Sequence, residues 1–316
     1  MLRLYCVEGG ELKPAEASRF KEARWIDVIA PSTEEVERLH EEFDIDLQDM
    51  ADCLDPNERS RVEIEESYDL LVLRSVLAEQ KNGKRNVSKI ETMPIGIFVV
   101  KNKIITVRIG TSFSYDELTV DLKRKPKMDS KEDLFLLLVR KVNRDIERRV
   151  RPMERTIANI QEKILEDEAD EVADDAFALS NGLIVLNTTL LSNLNAMSML
   201  SRVKQLHLTK ERLDLAEDLE NDVAQLYEMT TIYREIMSNV LDAYESALAN
   251  NLQVVMKTLT TISLILILPL MITALFSMNV TLPFGDEDPL AFWMIAALSA
   301  VAVGALWAFF RIKKIL

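Results

Sequence analysis

The sequence is poor in the residues that carry most enzyme chemistry: 316 residues include two cysteines, two histidines, eight glycines and nine prolines. Cys6 and Cys53 can build neither a disulfide framework nor a four-ligand zinc site, and His40 and His207 offer little imidazole chemistry. No glycine-rich phosphate loop, GxSxG, HExxH or paired-cysteine motif is present, which speaks against an enzyme and leaves any transport without nucleotide hydrolysis. Positive charge is also scarce. Lys and Arg number 38 against 52 Asp and Glu, a net charge of −14, and no basic run exceeds Lys123-Arg124-Lys125, so nucleic acid is not an expected partner.

Charge is instead concentrated before residue 252, where 34 basic and 49 acidic residues give a net of −15. Beyond it lie two charge-free runs, 28 residues at 258–285 and 22 at 289–310. Each is long enough to cross a hydrocarbon core, which takes about 20 helical residues. The start, Met1-Leu2-Arg3-Leu4-Tyr5, has no signal-peptide apolar region. Lys257 precedes the first run and Arg311, Lys313 and Lys314 follow the second, while the loop between has no Lys or Arg. The positive-inside rule then puts both termini in the cytoplasm and the short loop outside, in an inner or plasma membrane.

The pattern predicts an α+β cytoplasmic domain, long α-helices and two C-terminal transmembrane helices. Expected boundaries are 1–112 for the α+β domain, 113–256 for a helical stalk and 257–279 for the first span. An external loop at 280–288, a second span at 289–310 and a basic tail at 311–316 complete the chain. Apolar runs at Trp25–Ile29, Tyr68–Ala78, Ile95–Val100 and Ile104–Ile109 read as strands, and Ser32-Thr33-Glu34-Glu35 opens a helix capped by Ser32 or Thr33. The stretch 81–86 is a polar turn. Helices are expected around 131–168, with Pro152 able to kink it, around 173–207, and from 210 into the membrane. The last carries a seam at steps of three and four, Leu219, Val223, Leu226, Thr230, Tyr233, Met237, Val240, Tyr244, Ala247 and Asn251, which needs helical neighbours or further copies.

The first span is rich in hydroxyls. One stripe reads Gln253, Met256, Thr260, Ser263, Ile267, Leu270, Ala274, Ser277, polar at its ends and apolar between. Pore lining and close helix packing both account for such a stripe. The second span, with Ser299 and its indoles as the polar groups, reads as lipid-facing, so a pore requires several copies around the first helix.

The stretch Asn250-Asn251-Leu252-Gln253-Val254-Val255-Met256-Lys257-Thr258-Leu259-Thr260, Pro269-Leu270, Ser277-Met278-Asn279, the acidic loop and the tail Lys313-Lys314-Ile315-Leu316 resemble the CorA magnesium channels. Upstream, Tyr233-Arg234-Glu235-Ile236-Met237-Ser238 and Leu241-Asp242-Ala243-Tyr244 are similar to the same family. The resemblance implies a funnel-shaped homopentamer in lipid, with Asn279, Met278 and Ser277 at the selectivity filter. It makes Mg²⁺ both the transported and the regulatory ion, with Co²⁺ or Ni²⁺ passing as hydrated ions of similar size. The stripe, with Leu259, becomes the pore lining and gate. Asp286, Glu287 and Asp288 would gather cations outside, or simply be solvated. Asp218 matches the family's regulatory carboxylate by helix register, with Asp222 one turn on, against the reading that Asp218 is a plain surface charge. One departure stands out: the family usually has Gly-Met-Asn where this chain has Ser277-Met278-Asn279. A zinc transporter of the ZntB branch and a non-conducting membrane metal sensor or scaffold are the other readings left open.

Overall fold

The computed structural model describes residues 1–8, 11–77, 90–110, 118, 130–165, 169–200, 203, 205–206, 208–278 and 289–313. They form two compact units, Met1–Leu241 and Asp242–Leu316. The first is built on seven strands: β1 (Leu2–Glu8), β2 (Glu11–Ala15), β3 (Trp25–Ile29), β4 (Arg61–Ile64), β5 (Asp69–Val76), β6 (Thr92–Val100) and β7 (Lys103–Arg108). They pair in the order β2-β1-β3-β7-β6-β5-β4, antiparallel except for the parallel pair β3 and β7. The four apolar runs of the sequence are β3, β5, β6 and β7. Strands β1, β2 and β4 are not among the expected elements: they lie toward the two margins of the sheet, and β4 is four half-buried residues long, too short for a readable alternation.

Helix α1 (Thr33–Phe43) starts where the sequence places a cap, and Ser32 rather than Thr33 supplies it. Ser32 Oγ accepts from the Glu35 N–H at 3.3 Å and Glu35 Oε2 accepts from the Ser32 N–H at 3.0 Å, a reciprocal capping box. Helix α2 (Leu47–Asp52) is capped in turn by Asp46, whose Oδ1 accepts from the Gln48 N–H at 2.7 Å. These helices cover one sheet face through Leu39, Met50 and Cys53, packed with Ile26, Val28, Leu70 and Phe98. Cys53 is a packing residue. Its thiol is wholly buried, burial pushes its pKa up, and a Cβ at Gly96 would lie 2.2 Å from its Sγ, so the strand passes it only as glycine. The alternate side chains of β3 and β7 bury a charge pair: Arg108 donates to Asp27 at 3.0 and 2.8 Å, and Trp25 is linked to Asp27 through Thr106 Oγ1.

The remaining helices are α3 (Lys131–Val150), α4 (Met153–Leu165), α5 (Ala169–Met197), α6 (Lys210–Phe276) and α7 (Pro289–Ile312). Two expectations need correction. The segment 131–168 is two helices, because Pro152 has no N–H to give and its ring crowds the preceding turn. The segment 173–207 ends as a helix at Met197, and the chain returns to α6 through a connection tied down by buried Leu200, Val203 and Leu206 and by the Gln205 N–H, which donates to Asp69 at 2.5 Å. The polar turn expected at 81–86 lies outside the described residues.

The expected unbroken helix into the first charge-free run is present: α6 has 67 residues, about 100 Å at 1.5 Å per residue. Its seam is buried from Leu219 through Val240, half-covered at Tyr244 and Ala247, and open at Asn251. Neighbouring helices in the same chain cover it. Asn143 of α3 donates to the Leu219 carbonyl at 3.2 Å, and Asn187 of α5 donates to Thr230 at 3.2 Å and Thr231 at 2.8 Å. At its start α6 is held by Arg212, which donates to both oxygens of Asp133 in the first turn of α3, at 3.0 and 3.2 Å.

Candidate functional site

Three described helices are long and apolar enough to cross a membrane: Ala173–Met197 within α5, α6, and Phe292–Ile312 within α7. The α5 stretch is not among the expected spans. It is charge-free from Ala176 to Met199, yet 44% of its apolar window is buried within the chain, against 6% and none in the other two. Polar attachments also pin it to the sheet: Asn193 Oδ1 accepts from the Arg74 N–H at 2.8 Å and Nδ2 donates to the Arg74 carbonyl at 2.9 Å.

In the second unit, exposure separates two faces of α6. Thr261 is buried and Ile265, Leu268, Pro269, Ile272 and Phe276 are half-covered. On α7 the matching set is Ile295, Ser299, Ala302, Leu306 and the buried Phe310. Both helices belong to the unit Asp242–Leu316, and from their burial we take these stripes as the faces they turn to each other. Apart from the half-covered Val303, the other described α7 side chains, among them Trp293 at 68% and Val301 at 70%, are open, in keeping with a lipid-facing helix. Arg311 stacks over Trp307 at 5.1 Å where α7 ends, an aromatic and basic pairing suited to a membrane interface.

The predicted stripe lies on the other side of α6. Gln253, Met256, Leu259, Thr260, Ile267, Leu270, Ala274, Ser277 and Met278 are exposed and Ser263 is half-exposed. At about 100° per residue its centre falls roughly 170° from the face turned to α7. Close packing of the two helices within one chain therefore does not explain it, and a face left open by its own hairpin is available to further copies.

The hydroxyls on this face have a common geometry. Thr260 Oγ1 donates to the Met256 carbonyl at 2.7 Å, Ser263 Oγ to Leu259 at 2.8 Å and Ser277 Oγ to Ala274 at 3.0 Å. Each proton is used inside the helix, so each oxygen turns lone pairs outward. Such a surface accepts hydrogen bonds, as the outward-pointing hydrogens of a hydrated cation require. Ser277 itself follows the last turn, its N–H donating to Thr273 and Ala274 at 3.1 and 3.3 Å. Among the described non-glycine residues only Ala30, Asp44 and Lys101 have positive φ, so serine at 277 sits in an ordinary backbone conformation. What it changes relative to glycine is bulk and a hydroxyl.

Asn279, Asp286, Glu287 and Asp288 lie outside the described residues. Asp218 and Asp222 are exposed on α6, and among the described residues of one chain no three acidic, histidine or cysteine side chains are grouped to hold a metal. A carboxylate cluster that sequence reading misses surrounds Arg61, which pairs with Asp49, Asp52, Glu58 and Glu63. Burial is the main cause that raises Asp49 to about 6, with Glu63 adding to it and the Tyr68 hydroxyl and Arg61 opposing. The sequence signal is slight, since its acids come from α2, a loop and β4.

Residues 20–314 match the family described as CorA-like Mg²⁺ transporter protein. The chain is 27% identical over 292 residues to the cobalt/magnesium transport protein CorA of Methanocaldococcus jannaschii, covering 91% of this chain and 89% of that one. It is 24% identical over 270 residues to the protein of the same name from Thermotoga maritima, covering 81% and 72%. The complete structure of the M. jannaschii CorA magnesium transporter superposes with a TM-score of 0.80 at 23% identity, covering 98% of this chain and 97% of that one.

Proposed function

The chain belongs to the CorA family of Mg²⁺ transporters, and from that membership we propose that it is a membrane protein that passes divalent cations, Mg²⁺ foremost, down their electrochemical gradient. One observation carries the reading: the stripe from Gln253 to Ser277 is turned away from the partner helix and presents acceptor oxygens at its ends. Copies of α6 arranged around an axis, five by the family resemblance, would line a pore with it. Both spans, α6 and α7, then cross the membrane with the acidic unit in the cytoplasm.

Asn279 forms the filter in this reading. Mg²⁺ dehydrates reluctantly and prefers to keep several waters. A ring of neutral amide oxygens holds those waters without stripping them, and binds weakly enough to let the ion leave. Below the mouth, Ile267 and Leu270 make an apolar constriction that closes by dewetting when the helices draw together. No nucleotide is needed, since inward movement of a divalent ion gains about 4.6 kcal/mol per 100 mV. Mg²⁺ lodged between acidic cytoplasmic faces of neighbouring copies, at Asp218 and Asp222, offsets their repulsion and favours the closed arrangement.

Ser277 supports a second reading, in which the added hydroxyl at the mouth tunes the path to another divalent ion such as Zn²⁺. The filter assignment is tested by Asn279→Ala in reconstituted vesicles. Assembly should be unchanged, because residue 279 follows the end of α6 in the sequence, and selective divalent uptake should be lost; wild-type uptake would refute it.

A further inference from the structure

Pro269 stands inside α6, so the Ile265 carbonyl cannot receive the hydrogen bond that residue 269 would otherwise donate. In an apolar environment such a freed carbonyl is satisfied by a neighbouring helix or side chain. Both Ile265 and Pro269 are on the half-covered face of α6, the one turned to α7.

The opposite helix offers one hydroxyl, and its state is unlike that of the others. Thr258, Thr260, Thr261, Ser263, Thr273 and Ser277 of α6 each donate back to a carbonyl of their own helix. Ser299 Oγ of α7 is buried and has no hydrogen-bond partner. Two helices joined as a hairpin run antiparallel, and matching their covered stripes sets Ser299 near the level of the proline. Thr261 and the covered Leu306 to Phe310 turn mark one end of the contact, and counting along both helices brings Ser299 level with Leu268 to Ile272, within about one turn of 5.4 Å from Pro269. A donor lacking an acceptor and an acceptor lacking its donor thus lie on facing stripes.

We propose that Ser299 is a positioning residue for the pore-lining helix, its hydroxyl donating to the carbonyl that Pro269 frees. The bond is open in this structure, where Ser299 Oγ is unpartnered, and forms when α7 closes on α6. Two arrangements of α6 at its proline then differ by one interhelical hydrogen bond. Serine suits the position because it combines a donor with a size that lets the helices approach closely.

The test is a double-mutant cycle on the full chain, reading both the thermal midpoint in detergent and the initial rate of Mg²⁺ entry into proteoliposomes. Pro269→Ala restores the missing N–H and removes the need for Ser299. Ser299→Ala should therefore shift both the midpoint and the rate beside Pro269, the rate by about threefold, the average effect of one interhelical bond, and shift neither in the Pro269→Ala background. Ser299→Thr keeps the hydroxyl and should retain the wild-type rate. Equal effects of Ser299→Ala in both backgrounds, or a threonine variant that behaves like alanine, would overturn the proposal. The flux arm rests on the transport reading; the midpoint does not, so loss of coupling there condemns the latch, whereas absence of flux in the wild type condemns the function.

Discussion

Asp49 is the residue whose chemistry departs most usefully from its sequence neighbourhood. Its carboxyl is held to about 6, above the usual carboxylate range, chiefly because it is buried with Glu63 beside it. The sign follows from proton counting: between about pH 4 and 6 the folded chain holds a proton that the unfolded chain has released. The contribution of Asp49 to stability is therefore full below about pH 4 and declines as pH rises to 6. Asp49→Asn should flatten the fall in thermal midpoint over that window while the Tyr68 hydroxyl keeps an acceptor, and a slope equal to wild type would place the titration elsewhere. None of this is legible in the sequence, because three of the four carboxylates around Arg61 come from outside its own strand. The Ser32 cap, by contrast, is readable, because its partner Glu35 is three residues away.

Elements are legible where the local pattern and the packing agree. The seam of α6 can be read from spacing alone, and its buried stretch follows that spacing from Leu219 to Val240. Pro152 reads as a kink and is a break between helices, since α4 beyond it packs as a separate element. Helix α5 is the hidden one: its charge-free composition resembles a span, and only the contacts of Asn187 and Asn193 reveal it as an interior helix. Asn187 also accepts from Arg234 at 3.2 Å, so one amide holds three side chains of α6. Truncation to alanine should cost about 1–3 kcal/mol. Asn187→Leu should be nearly neutral, because Thr230 and Thr231 already donate to the Tyr227 carbonyl and the exposed Arg234 keeps its water. Equal losses in thermal midpoint for both variants would show that the polar layer itself is required.

At the scale of the whole molecule the uneven charge is the organising feature, −15 before residue 252 and two uncharged runs after it. In the proposed channel, divalent cations offset the repulsion between acidic units of neighbouring copies, with Asp218 as one ligand. Asp218→Asn should need more Mg²⁺ for protection from limited proteolysis, since one lost ligand weakens a small site more than one lost charge relieves a domain near −15. Asp218→Lys supplies a fixed positive charge and should be partly protected without Mg²⁺. An unchanged midpoint in both variants would leave Asp218 as a surface charge of α6. Regulation of this kind is invisible in one chain for a physical reason: ligands that meet only between copies have no spacing in a single sequence.

The central claim is passive entry of a divalent cation through copies of this chain, and its most direct measurement is ion uptake by purified protein in sealed vesicles. An imposed inside-negative potential should drive Mg²⁺ inward without nucleotide, with a rate that rises with the potential and does not respond to a pH gradient. Absence of Mg²⁺ entry, or entry of Zn²⁺ alone that requires the pH gradient, would contradict it.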